Sequence, residues 1–178
     1  MNAHAEQTKR LLTGGILAGP IYILVGTAQV LTREGFDITR HPLSMMSLGD
    51  QGWVQILNFL VTGLLVIAGA IGLRRVAQAD KRLRRGAVLL GIYGLGVVGG
   101  GIFLTDPALG FPPGTPDTYP ETMTWHGLLH FVFGQLGFLA LIIASFVYGR
   151  YFATNGLPGW ALFSVLTGAI FLLAIFAS

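Results

Sequence analysis

Apolar residues fall into five long runs separated by polar segments: about Leu11 to Thr32, Trp53 to Leu73, Gly86 to Thr105, Thr124 to Tyr148 and Trp160 to Phe176. A helix needs roughly 20 apolar residues to cross the hydrocarbon of a bilayer. The runs therefore predict an all-α, polytopic transmembrane helix bundle with five spans. The first run is too long for the core of a signal peptide and no small-residue cleavage pattern follows it, so it is expected to be a retained helix. Connections are short except for 33–52 and 106–123, so residues 1–178 read as a single transmembrane domain. No internal repeat supports an inverted-repeat transporter.

Composition agrees: 53% of residues are hydrophobic, 11% are charged and the mean hydropathy is +0.68. A soluble domain would carry about a quarter charged residues. Charge placement adds an orientation. Lys9, Arg10, Arg74, Arg75, Lys81, Arg82, Arg84, Arg85 and Arg150 lie on one side of the five spans, and only Arg33 and Arg40 on the other. The positive-inside rule then predicts a cytoplasmic N-terminus, the two longer loops outside, and Ser178 outside. Glu34, Asp37, Asp50, Asp106, Asp117 and Glu121 gather on that outer side. The net charge of +3 is thus a topology signal and excludes a nucleic-acid footprint. The segment from Arg74 to Arg85 is expected to sit against anionic headgroups. With no cysteine, disulfides, thiolate ligands and cysteine nucleophiles are excluded.

Glycine is frequent inside the runs, most of all in the third, with Gly91, Gly94, Gly96, Gly99, Gly100 and Gly101. Gly96 and Gly100 form a small-xxx-small pair that lets helices approach closely, which predicts this helix at the bundle centre. Trp53, Trp125 and Trp160 fall at span ends, as in aromatic belts.

The polar residues at the outer side carry the candidate chemistry. His126 and His130 are separated by four residues at the start of the fourth run, about 40° apart around the helix axis and about 6 Å along it. Gly134 and Gly137 continue that face, which is expected to pack inward. An ionisable residue within a span is costly and marks a functional hypothesis. Asp106 ends the third run at the same level, and its carboxylate needs a partner. The nearest candidates are His126, His130, His41 and Arg40. Ser44 stands beside them, giving a candidate polar site of Asp106, His126, His130, His41, Arg40 and Ser44. Gln29, Asn58, Thr62, Tyr93 and Gln135 either line its floor or join helices. Pro42 and Gly49 bracket a short helix in which Ser44 and Ser47 are neighbours, and Leu43, Met46 and Leu48 are expected on the membrane surface or bundle mouth. Thr118 with Glu121 has capping-box spacing, and Thr122 or Thr124 are alternative caps for the fourth helix.

Arg40-His41-Pro42-Leu43-Ser44, Ser47-Leu48-Gly49, Gly52-Trp53-Val54-Gln55 and Asn58-Phe59 resemble a bacterial multi-pass membrane family known as domain of unknown function 998. So do Thr105-Asp106-Pro107, Gly110 to Pro116 and Trp125 to His130. The resemblance covers nearly the whole chain. It implies a helical bundle in a bacterial inner membrane, usually of six helices where this chain shows five, and brings no activity. A weaker resemblance links the His126 and His130 spacing, Asp106 and Ser44 to membrane hydrolases of the alkaline ceramidase and adiponectin receptor type. It implies zinc held by His126, His130 and either His41 or Asp106, acting on a lipid or amide. Three readings stay open: that zinc-dependent hydrolase, a site binding a lipid or small amphiphile without chemistry, and a purely structural brace in an assembly partner. Membrane lipids are expected partners, and self-association is compatible with the glycine-rich faces.

Overall fold

The computed structural model describes residues 3–77 and 79–177. It is all-helical, with five helices each long and apolar enough to cross a membrane: α1 (Ala3–Thr32), α2 (Gly52–Val76), α3 (Lys81–Ile102), α4 (Trp125–Thr154) and α5 (Pro158–Ala177). A short 3-10 helix, Leu43–Ser47, lies between α1 and α2.

Helices extend beyond the apolar runs wherever a polar turn can continue them. At the start of α3, Asp80 caps the helix by accepting from the backbone N–H groups of Arg82 and Leu83 at 2.7 and 3.1 Å, so the basic turn is already helical. The same helix stops at Ile102, short of the expected Thr105, because Phe103 turns to extended backbone. At the start of α4, Thr124 is the cap, its hydroxyl accepting from Gly127 N–H at 3.1 Å. The Thr118 and Glu121 alternative is not used.

Neighbours in sequence are neighbours in space: α1 packs on α2, α2 on α3, α3 on α4 and α4 on α5. This puts α3 in the middle, as its glycines predicted. Hydrocarbon gives no hydrophobic drive for association, so contact between spans depends on close fit. A Cβ added to Gly96 would stand 2.7 Å from both the Gly137 Cα and the Phe133 carbonyl oxygen. Gly63 and Gly94 meet in the same way between α2 and α3, as do Gly15 and Gly69 between α1 and α2. Each of these junctions is a glycine crossing, a feature the sequence revealed only for α3.

Between α1 and α2 the buried amides join in one chain: Gln29 donates to Gln55 at 2.7 Å, and Asn58 donates to Gln55 at 3.2 Å and to the Tyr22 carbonyl at 3.3 Å. These residues join helices. They lie apart from the loop-end site, so Gln29 and Asn58 do not form its floor.

The two long loops fold against each other at one end of the bundle. Met45, Leu48, Ala108 and Phe111 make a small buried core there, with Phe36, Leu104 and Leu109 packed on it. Met46 is also fully buried. Of the two places expected for Met46 and Leu48, the membrane surface or the bundle mouth, burial excludes the membrane surface: pairing of the loops supplies an apolar interior that neither loop has alone.

Candidate functional site

The six predicted site residues do not converge: His41 and Arg40 belong to a brace, Ser44, Asp106 and His130 line a cleft, and His126 belongs to neither. The brace begins at a tight turn over Ala108–Phe111, with Leu109 and Gly110 at φ values of 55° and 83°. Two consecutive positive φ values suit a chain reversal of the I′ kind and disfavour a residue with a Cβ such as Leu109. His41 holds that turn. Its ring is buried between Phe36 and Phe111, each at a centroid distance of 5.5 Å. Nδ1 lies 2.9 Å from the Asp37 backbone N–H, which can only donate, so Nδ1 accepts. Nε2 must then carry the proton it donates to the Leu109 carbonyl at 2.9 Å. Both ring nitrogens are thus committed.

Arg40 closes the rim of the same clasp through an exposed ion pair with Asp117 at 2.5 Å. Arg33, which sequence reasoning used only as a charge to be counted, reaches underneath. It donates to the Leu48 carbonyl at 2.5 Å and its guanidinium stands 5.5 Å from the Phe111 ring centre. Burial pushes its pKa down from the ordinary arginine value, and Asp50 opposes that shift. Phe111 was equally unremarked, since a lone Phe in a proline-rich loop gives no periodic signal.

Asp106 does not pair with a histidine or with Arg40, as expected. Its carboxylate accepts from the Thr124 N–H at 2.9 Å and from the Thr124 hydroxyl at 2.5 Å. The partner is the N-terminus of α4, where unpaired N–H groups and the helix dipole favour an anion. Gly127 is required by this fit, because a Cβ there would overlap Asp106 Oδ2.

The histidine pair also separates. His126 is exposed, leaning on Trp125 at 3.6 Å and on Phe103 at 6.2 Å between ring centroids. A four-residue step turns the helix by about 40°, and here that angle carries one ring to the edge of the inward face and leaves the other on it. His130 is half-buried and its Nδ1 lies 2.8 Å from the Phe103 carbonyl. Nδ1 must donate to that oxygen, which in the neutral ring leaves Nε2 with its lone pair. Among the described residues, no group bonds Nε2.

His130 lines a cleft of about 730 Å³ between α4 and α5, roofed by the 3-10 helix and the 106–123 loop. Its walls are mainly apolar, including Met45, Phe131, Phe138 and Phe171. Ser44, Thr105, Asp106, Tyr119, Glu121 and Gln135 supply the other polar side chains. Among the described residues, the Gln135 amide and the Ser44 hydroxyl have no hydrogen-bonding partner. The Ser44 carbonyl does accept from the Ser47 hydroxyl at 2.7 Å, as neighbours in one turn should. His41 and His126 are not part of this lining.

The zinc set is not assembled. Among the described residues, no three His, Asp or Glu side chains gather where they could hold a metal ion. His41 spends both nitrogens on backbone groups, Asp106 caps a helix, and His126 does not line the cleft. The residues do not fit a zinc hydrolase centre.

Five apolar helices with paired loops at one end define a protein consistent with an integral, multi-pass membrane protein. A family model described as "Protein of unknown function (DUF998)" matches residues 16–178, and the chain belongs to that family. No curated protein and no solved structure matches the chain.

Proposed function

We propose that this protein binds a lipid or small amphiphile in the cleft between α4 and α5. The observation behind this reading is the pairing of apolar walls with unpartnered polar atoms: His130 Nε2, the Gln135 amide and the Ser44 hydroxyl. A fully buried amide left unpaired costs on the order of 1–3 kcal/mol by mutational measures, and the half-buried Gln135 amide a fraction of that. A ligand with a polar end and a hydrocarbon body removes that cost and fills the rest of the volume. The count of basic residues supports a cleft facing the outer side of the cell membrane.

The brace has a separate part in this reading. His41, Arg40 and Asp106 bond within the protein, as does Arg33 through Nη2, so their role is to hold the roof of the cleft in place.

Gly134 provides the test. It lines the cleft and a Cβ there would meet nothing within 4 Å, so bulk can be added without strain on the backbone. Native mass spectrometry of the detergent-purified protein should show a retained amphiphile, and Gly134→Trp should lose it while remaining folded. Absence of any retained amphiphile, or equal retention by Gly134→Trp, refutes the proposal.

A further inference from the structure

At the opposite end of the bundle, three arginines share one groove. Arg74 comes from the last turn of α2, Arg84 and Arg85 from the first turns of α3, and the apolar wall includes Val88, Ile143 and Val147. The groove has a volume of about 460 Å³. All three arginine side chains are exposed, and among the described residues none has a carboxylate or side-chain hydrogen-bonding partner. Asp80, the acid nearest in sequence, is occupied in capping α3. Two neighbouring arginines differ: Arg75 donates to Gln7 at 3.0 Å and Arg82 to Thr154 at 2.8 Å.

Below the charges the surface turns apolar in helical register. Val88 is one turn from Arg84, and Ile92 and Leu95 continue the row, all of them exposed. One turn carries the surface about 6 Å deeper along the helix. Guanidinium groups suit phosphate because they offer a planar fork of donors, and they are less strongly hydrated than ammonium. A cationic mouth above an apolar strip matches one class of molecule, with its phosphate at the interface and its chain in the hydrocarbon.

We propose that Arg74, Arg84 and Arg85 form a site for a single anionic phospholipid, its phosphate among the three guanidiniums and one acyl chain over Val88, Ile143 and Val147. This site is independent of the α4–α5 cleft and lies in the leaflet at the basic end.

The test compares nanodiscs containing phosphatidylglycerol or phosphatidylcholine, with tightly bound lipid counted by native mass spectrometry. Wild-type protein should retain phosphatidylglycerol over phosphatidylcholine, and the triple variant Arg74→Gln, Arg84→Gln, Arg85→Gln should lower that retention at least tenfold. A charge-matched control, Arg10→Gln, Lys81→Gln, Arg150→Gln, should leave it nearly intact. Val147→Trp keeps every charge and fills the chain's path, so it too should lower retention. Equal loss in the charge-matched control would mean general surface attraction and overturn the proposal. So would unchanged retention in Val147→Trp, or displacement of the lipid by millimolar inorganic phosphate, which would mark a site for free phosphate.

Discussion

Gly127 and Asp106 are coupled through one carboxylate, and a double-mutant cycle should show it as a change of sign. Asp106 accepts two hydrogen bonds from Thr124, at 2.9 and 2.5 Å, at the first turn of α4. Hydrogen bonds to a charged group contribute about 1.5–3 kcal/mol each, and partial exposure reduces this, so Asp106→Ala should cost about 2 kcal/mol. In the native background, Gly127→Ala would drive its Cβ into Asp106 Oδ2 and push the carboxylate off Thr124. That loss is offset in part by the helix preference of Ala over Gly, up to about 1 kcal/mol. The net effect is destabilisation by about 1 kcal/mol. With Asp106→Ala already present the carboxylate is gone and no other atom stands closer than 3.2 Å to the new Cβ, so Gly127→Ala should stabilise by up to about 1 kcal/mol. The assay is reversible unfolding in mixed micelles followed by helical circular dichroism. If Gly127→Ala has the same effect in both backgrounds, the carboxylate is not what requires glycine at this position.

His41→Phe should keep the packing on Phe36 and Phe111 but strand the Asp37 N–H and the Leu109 carbonyl, costing about 2 kcal/mol or more and exposing the 106–123 loop to protease. Limited proteolysis with wild-type resistance would contradict the clasp. Gly96→Leu should separate α3 from α4 and cost about 3 kcal/mol or more, read as loss of folded protein on size-exclusion chromatography. Asp37 is held below the usual carboxylate range by hydrogen bonds from the Thr39 side chain and then the Thr39 backbone. Its contribution is therefore full above the ordinary carboxylate pKa and fades as pH falls through the lowered value. Thr39→Val should move the Asp37 titration upward in a carboxyl NMR experiment, and an unmoved titration would contradict the assignment.

The five helices were legible because hydropathy over about 20 residues is a strong signal, and the central place of α3 followed from its glycines. Which glycines meet across each helix junction was not legible. Gly15 with Gly69 and Gly63 with Gly94 are set by how helices align, which no single run encodes. At the site, proximity of the two loops was foreseen from motifs, but their contacts were not. Asp106 was expected to find a cation, whereas a helix start eighteen residues later offers a neutral source of positive potential. His126 and His130 share a helix face by spacing alone, and only the neighbouring rings decide which one lies at its edge. Phe111 and Arg33 gain their roles solely from the loop pairing.

The division of the histidine pair can be measured directly by amphiphile occupancy of detergent-purified protein carrying His126→Ala or His130→Ala, using native mass spectrometry. His126→Ala should retain the bound amphiphile at the wild-type level, and His130→Ala should lose most of it with folding intact. Equal loss in the two variants would contradict the account, because it would mean that the pair acts as one site after all.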